Sequence, residues 1–347
     1  MPQFSFDLAS RSDHRACRDA IRQGSKSFYA ASRLLPADVR QRAFALYAFC
    51  RLSDDAVDLS GGSKDAVVRL RERLARAAQG RPLPFAADRA MADLFRRTRM
   101  PTALPEALLE GLAWDAEGRT YETLDELFDY AARVAGAVGV MMTVLMGVRS
   151  TEALARANDL GVAMQLTNIA RDVGEDARMG RIYLPRQWLR EAGVDAAAWL
   201  ADPRPDPRVL ALTARLLDEA RGLYDRARSG VALLPANCRP AILAAALIYA
   251  EIGAEVARNG FDSVSARARV SGRRKLELLG RATLDSRRLA PGPAVPAAPC
   301  GDFLLDAVAN GRPAPKPPSR AVLDWRDQFI GTLQTFERLH RADRLQA

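Results

Sequence analysis

Two acidic clusters carry the residue types that could bind a divalent cation. The first contains Asp54 and Asp58, in the stretch YAFCRLSDDAVD at positions 47–58. On a helix, a spacing of four residues places both carboxylates on one face, about 6 Å apart along the axis. These like charges repel, so a metal ion or an arginine between them would stabilise the helix. Taken alone, such a cluster is more often a solvated helix face than a metal site.

The second cluster contains three oxygen-bearing side chains, Asn168, Asp172 and Asp176, each four residues after the last. Their sequence neighbours are largely apolar, so this helix is expected near the core. Buried carboxylates need partners. Arg171 and Arg178 could supply them as a structural salt-bridge network. Alternatively, the two acidic faces meet across a helical bundle and share metal ions that bind a diphosphate.

The composition leaves few other chemistries open. The 347 residues include only two histidines, one near each end, which argues against a zinc site and against histidine acid–base catalysis. The four cysteines show no metal-ligand spacing. Any metal would therefore be held by oxygen ligands, which favours Mg²⁺ or Mn²⁺.

The net charge of +9 is compatible with a nucleic acid, an anionic membrane or a phosphorylated substrate, or with compositional bias alone. The arginines that dominate this charge are spread along the chain without a nucleic-acid motif. A solvated basic surface is the favoured interpretation, and no nucleic acid is expected as a partner.

Helical periodicity dominates the elements that must position these residues. Segments such as 65–80 and 207–230 repeat apolar residues at helical spacing, and no segment shows sustained strand alternation. The sequence therefore predicts an all-α protein. Two apolar runs, 134–148 and 241–256, are interrupted or too short for a membrane span of roughly 17–25 residues, so core helices are expected. The first residues lack a signal-peptide pattern, which favours a cytoplasmic protein.

Composition divides the chain into three parts. We expect a helical domain at 1–289, a tether rich in proline and alanine at 290–319 with a short helix at 301–309, and a C-terminal helix at 320–347. Docking onto the main domain is the favoured interpretation of the last helix, and contact with a membrane surface is the alternative.

Four motifs together resemble the squalene and phytoene synthase family. They are GSKSF (24–28), YAFCRLSDDAVD (47–58), YAARVAGAVG (130–139) and QLTNIARDVGEDARMGRIYLP (165–185). They follow the family's order and spacing, from about Cys17 to Leu279, and the last motif is highly specific. The resemblance, closest to bacterial phytoene synthases, implies an isoprenoid-synthase-type antiparallel helical bundle with a central pocket.

The resemblance also implies roles for individual residues. The metal ligands would be Asp54, Asp58, Asn168, Asp172 and Asp176. The catalytic residues would be Tyr47, Arg51, Arg171 and Tyr183. The substrate would be bound by Ser25, Ser27, Phe28, Ser32, Tyr130, Val134, Val138, Gln165, Tyr249 and Arg267. Without the resemblance, the aromatic residues and valines would be interpreted as core and Arg267 as a solvated residue. Gly24 departs from those relatives that have histidine there, so Ser25 and the backbone would take over any phosphate contact.

The implied reaction is head-to-head condensation of two geranylgeranyl diphosphates, via a cyclopropylcarbinyl (prephytoene) diphosphate, to phytoene in carotenoid biosynthesis. Mg²⁺ or Mn²⁺ would be required, and NADPH is not expected because no dinucleotide-binding fingerprint is present. The final proton acceptor could be a tyrosine, water or the released diphosphate. Product release could involve peripheral contact with the inner membrane.

Substrate length follows from one position. Ser32 lies one helical turn beyond Phe28, and a small residue there predicts a deep channel suited to twenty-carbon tails. Two alternatives remain: a synthase of squalene, dehydrosqualene or presqualene diphosphate that uses farnesyl diphosphate, and a non-catalytic assembly factor of the same fold. The retention of all five acidic-motif ligands disfavours the assembly factor.

Overall fold

The computed structural model describes residues 7–59, 64–292 and 295–311, and within them the chain is helical without any strand, which confirms the all-α prediction. The helices are α1 (Arg11–Gly24), α2 (Lys26–Ser32), α3 (Ala37–Leu59), α4 (Lys64–Ala78), α5 (Ala86–Thr98), α6 (Ala103–Ala116), α7 (Leu124–Ala131), α8 (Ala137–Leu145), α9 (Thr151–Arg178), α10 (Arg186–Glu191), α11 (Ala196–Ala201), α12 (Pro207–Val231), α13 (Arg239–Arg258), α14 (Gly272–Asp285) and α15 (Asp302–Asn310). A π-helical turn (Ala132–Gly136) joins α7 to α8.

The 28-residue helix α9 is the central element, and α12 packs along it in the antiparallel direction. Near the start of α9, Arg156 packs so closely on Gly230 of α12 that a Cβ at position 230 would overlap it. Further along, the hydroxyls of Thr167 and Tyr224 lie 3.0 Å apart. The residue numbers rise on α9 while they fall on α12, as an antiparallel pair requires.

The backbones of α8 and α9 approach closely through glycine. A Cβ on Gly139 would overlap the carbonyl oxygen of Ala157, and one on Gly161 would overlap that of Ala135. Only glycine therefore allows this contact. The π-helical turn lies at the same place, and such turns change the direction of the side chains that follow. Val134, within the turn, lines the central cavity.

Two helical stretches of the described chain, Leu124–Leu145 and Arg239–Arg258, are long and apolar enough to cross a membrane by length and composition alone. Both contribute walls to the central cavity, and Met141 and Ile248 within them are fully buried. In the described structure, both stretches pack against other helices around the cavity.

At the C-terminal end, α15 falls where the sequence predicts a short helix. The predicted helix at 320–347, and the tether beyond residue 311, lie outside the described residues. The three-part division of the chain stays a prediction.

Candidate active site

A central cavity of about 310 Å³ extends between α2, α3, α8, α9, α12 and α13, and its walls are mostly apolar. The residues from the predicted site that line it are Phe28, Ser32, Tyr47, Val134, Val138, Gln165, Asn168 and Tyr249. Phe28 and Tyr249 stack with their ring centroids 5.0 Å apart. The structure therefore brings together residues from five separate helices and the π-helical turn around one apolar space.

Both acidic clusters lie at one end of this cavity. On α3 the acidic residues follow Cys50, the last residue of that helix to line the cavity, and on α9 they follow Asn168. The start of α3 lies at the opposite end, where the Arg42 guanidinium donates a hydrogen bond of 3.1 Å to the carbonyl of Leu145, at the end of α8. Helix α9 begins soon after that same point. Since α3 and α9 both run away from it, their acidic segments share the other end. We call the two ends the acidic end and the floor.

Two arginines hold Asp172 at the acidic end. Arg171 Nε donates to Asp172 Oδ1 at 2.7 Å, and Arg267 donates to both carboxylate oxygens at 2.7 and 3.0 Å. Burial raises the pKa of Asp172, but these hydrogen bonds outweigh it and hold the pKa below its ordinary value. Arg267 follows α13 in the chain and is 95 residues from Asp172. Its contact with the acidic motif supports the substrate-binding role that the resemblance implies, and argues against a purely solvated arginine.

Asn168 and Asp176 complete the oxygen-rich face of α9. Among the described residues, no donor reaches the buried Oδ1 atom of Asn168. Burial, and then the charge of Asp172, raise the pKa of Asp176 to about 7. A cation bound between these oxygens would satisfy the Asn168 amide and favour the carboxylate form of Asp176.

On α3, Arg51 lies between two carboxylates, 3.5 Å from Asp54 and 2.8 Å from Asp55. Each partner is at least partly exposed, and exposed ion pairs contribute little to stability, so Arg51 can move to an anionic ligand at small cost. Asp58 follows Asp54 by one turn of the α3 backbone, but its side chain lies outside the described residues.

The donor set at the acidic end fits a divalent cation. The described residues contain no preformed group of three or more His, Cys, Asp or Glu ligands. The side chains at this end nevertheless include several oxygen ligands, among them an unsatisfied amide oxygen on Asn168 and the protonatable carboxyl of Asp176. A hard cation prefers such oxygen ligands.

Tyr183 and Tyr130 converge on a carboxylate that the sequence analysis does not single out, Asp115 of α6. The hydroxyl of Tyr183 donates to Asp115 Oδ1 at 2.8 Å, and that of Tyr130 donates to Oδ2 at 2.7 Å. Tyr130 is 3% exposed and is not among the residues that line the cavity, in contrast to the channel position that the resemblance implies. The reason is that its hydroxyl is directed to Asp115. No local pattern identifies Asp115, because its partners lie 15 and 68 residues away.

Substitution of Asp115 tests whether this pair of tyrosines matters for turnover. Asp115→Asn replaces one hydrogen-bond acceptor with a donor, so one tyrosine hydroxyl must reorient. We expect kcat to fall roughly 10- to 100-fold, as when a residue that orients a catalytic group is lost. Thermal unfolding and kcat at saturating substrate are the measurements, with Tyr130→Phe as the matched control that removes one bond only. Full kcat with a lowered melting temperature would show that Asp115 has only a structural role.

Helix α2 forms one wall near the acidic end. The Ser25 hydroxyl caps this helix by accepting the Phe28 backbone N–H at 3.2 Å, and Ser27 is half-buried in its first turn. A Cβ at Gly24 would overlap the Tyr47 hydroxyl, so glycine allows Tyr47 to lie against the end of α1. A larger side chain at position 24 would require Tyr47 to move.

Comparisons with known proteins agree with this geometry. The family model described as squalene/phytoene synthase matches residues 21–274. The chain belongs to the squalene/phytoene synthase family. Phytoene synthase of Rhodobacter capsulatus is 51% identical over 311 residues, which cover 87% of this chain and 92% of that protein. Phytoene synthase of Cereibacter sphaeroides is 53% identical over 324 residues, which cover 88% of this chain and 90% of that protein.

Solved structures of family members share the fold. A dehydrosqualene synthase in complex with a ligand superimposes with a TM-score of 0.73 at 34% identity, covering 80% of this chain and 98% of that chain. A squalene synthase from Alicyclobacillus acidocaldarius gives a TM-score of 0.65 at 27% identity, covering 72% of this chain and 95% of that chain. The predicted isoprenoid-synthase-type bundle around a central pocket is thereby confirmed.

Proposed function

We propose that this protein is a prenyltransferase of the phytoene synthase type. It condenses two geranylgeranyl diphosphates head to head, via prephytoene diphosphate, into phytoene and releases diphosphate, as a step of carotenoid biosynthesis. The observation that carries the proposal is a long apolar cavity that ends at an oxygen-rich, arginine-flanked site. The two bacterial relatives more than half identical to this chain, both named phytoene synthase, support it over the farnesyl-using alternatives and over an assembly factor.

The cavity suits a twenty-carbon tail. Its lining along α9 extends from Asn168 to Ala153, roughly 22 Å at the rise of an α-helix. An extended chain advances roughly 1.2 Å per bond, so a geranylgeranyl tail needs roughly 18 Å and a farnesyl tail roughly 13 Å. A fifteen-carbon tail would leave part of the apolar wall without a partner, which favours the longer substrate.

The arginines at the acidic end would neutralise the departing diphosphate. Arg51, Arg171 and Arg267 each pair with a carboxylate near the end of the cavity, from which they can reach an anionic substrate. Mg²⁺ or Mn²⁺, held by Asp54, Asp58, Asn168, Asp172 and Asp176, would add positive charge when bound. Cleavage of the carbon–oxygen bond then gives an allylic cation. The double bond of the second substrate attacks it to form prephytoene diphosphate, and a second ionisation, rearrangement and proton loss give phytoene.

The cavity walls would protect these cations from water, with Phe28 and Tyr249 as stacked aromatic groups. Burial raises the pKa of Tyr249 to about 12 and also raises the pKa values of Tyr47 and Tyr183. These hydroxyls therefore stay protonated near neutral pH, and a neutral phenol is a weak base. Their protonation supports water or the released diphosphate as the final proton acceptor.

A cytoplasmic location with peripheral contact at the inner membrane is part of the proposal, because the product is apolar. Leu276 and Leu284 lie on one face of α14 and are 70% and 64% exposed. The exposed Arg287 and Arg288 follow that helix. Exposed leucines beside arginines are typical of surfaces that contact anionic lipids.

A product assay tests the reaction. Pure protein with twenty-carbon diphosphate and Mg²⁺ is expected to give phytoene and inorganic diphosphate without NADPH, and a chelator should abolish turnover, because neither ionisation proceeds without the added positive charge. The matched reaction with fifteen-carbon diphosphate, with and without NADPH, is the control. Squalene or dehydrosqualene as the main product would overturn the choice of substrate, and full turnover in chelator would overturn the metal requirement.

A further inference from the structure

A charged residue, Arg156, lies in the apolar floor of the cavity. It is 2% exposed and lines the cavity together with Met146, Ala153 and Leu234. Its side-chain stem packs directly on Gly230 of α12. Burial of an arginine costs far more than burial of a methionine of similar length, so the charge at this position needs a reason other than filling space.

The Arg156 guanidinium takes part in a buried network that includes the segment 295–311, which we call the C-terminal strap. Its Nε atom lies 2.9 Å from Asp159 Oδ2, and its terminal nitrogens donate to the carbonyls of Val295 (2.8 Å) and Pro296 (3.1 Å). Arg226 also binds Asp159 (3.1 Å) and the Pro296 carbonyl (2.8 Å). Asp159 is fully buried. Charge-assisted hydrogen bonds of this kind fix side-chain geometry.

The strap is packed against the helical domain at a second place. The amide nitrogen of Asn158 lies 3.8 Å from Cys300 Sγ, and a Cβ on Gly301 would lie 2.6 Å from the same nitrogen. The guanidinium carbon of Arg133 lies 4.7 Å from the centre of the Phe303 ring, and Leu304 is fully buried. The strap follows residues 21–274, which match the family model, and it reaches α9 from outside that region.

We propose that Arg156 is a specificity-determining residue that sets the longest prenyl tail the cavity accepts, and that the strap holds it in place. Arg156 is twelve residues from Asn168, roughly 18 Å along α9, which equals the extended length of a twenty-carbon tail. A twenty-five-carbon tail extends roughly 5 Å further and would meet the Arg156 stem. A flexible methionine could move aside. The arginine cannot, because its guanidinium is bound on the far side of the floor.

Two substitutions of Arg156 test this inference, which rests on the proposed function. Arg156→Ala deepens the floor, and Arg156→Met keeps the stem volume but removes the link to the strap. The probes are unreactive thiodiphosphate analogues with fifteen-, twenty- and twenty-five-carbon tails, whose dissociation constants do not depend on turnover. We expect the preference for the twenty-five-carbon over the twenty-carbon analogue to rise about tenfold in Arg156→Ala and about threefold in Arg156→Met. Hydrogen exchange of strap amides should accelerate in both.

Arg226→Gln is the matched control, because Arg226 contacts the same carboxylate and the same carbonyl without lining the cavity. Its tail preference should stay that of the wild type. If Arg156→Ala does not fold, Arg156→Met decides the matter. The inference is overturned if an Arg156 variant that folds keeps the wild-type preference between the twenty- and twenty-five-carbon analogues. It is also overturned if hydrogen exchange of the strap amides in that variant is unchanged. Wild-type protein that binds no prenyl analogue would instead overturn the proposed function.

Discussion

Replacement of Asp172 by asparagine is expected to lower kcat by at least about 10³-fold while unfolding remains cooperative. Asp172 is the carboxylate around which Arg171, Arg267 and the oxygens of Asn168 and Asp176 are arranged. Its loss removes one negative charge from the donor set and takes from Arg171 and Arg267 the carboxylate that they share. Asp54→Asn should have a comparable effect on turnover from the α3 side, where Arg51 is its ion-pair partner.

The measurement combines kcat at saturating Mg²⁺ and substrate with Mn²⁺ binding followed by electron paramagnetic resonance. Glu175→Gln is the matched control: Glu175 lies on α9 one turn after Asp172 and pairs with Arg267, but its side chain is about half exposed. We expect that variant to bind Mn²⁺ like the wild type, because exposed ion pairs contribute little. A protein with Asp172→Asn that melts at a much lower temperature yet keeps full specific activity would favour the structural salt-bridge interpretation of the acidic face.

The second large effect is expected at Ser32, which is buried and lines the cavity one turn beyond Phe28. Its hydroxyl donates to the Tyr29 carbonyl at 2.7 Å, so the small side chain is turned back to its own helix. Ser32→Phe would place a ring in the channel and shorten it by several ångströms. Each methylene that stays unburied forfeits about 0.8 kcal/mol, so the twenty-carbon substrate should lose most. We expect relative kcat/KM to shift at least about tenfold toward the fifteen-carbon diphosphate.

Ser32→Ala is the control for this experiment, because it removes the hydroxyl without adding volume and should leave substrate preference unchanged. A normally folded Ser32→Phe protein with wild-type preference would show that this position does not limit the tail. The effects of Ser32→Phe and Arg156→Ala should be opposite in sign, because one fills the channel from α2 and the other removes its floor on α9.

Local spacing in the sequence predicts the class of fold and the two acidic faces. Helical periodicity is a property of residues three and four apart, so the all-α class and the alignment of Asn168, Asp172 and Asp176 are readable without a tertiary structure. The position of Ser32 in the cavity follows in the same way from its spacing to Phe28. The family motifs add the pairing of the two acidic segments across a pocket.

The tertiary structure alone decides the contacts between residues that are distant in the chain. Asp115 accepts hydrogen bonds from Tyr130 and Tyr183. Tyr130 is therefore directed to Asp115, whereas the resemblance implies that it lines the cavity. Arg267 reaches Asp172 across 95 residues, and Arg156 reaches the strap across 139. No local pattern in the sequence distinguishes Arg156 and Arg267 from the many other arginines of this basic chain. A side chain's partners depend on which helices pack together, and local periodicity sets the face of each helix but not its neighbour.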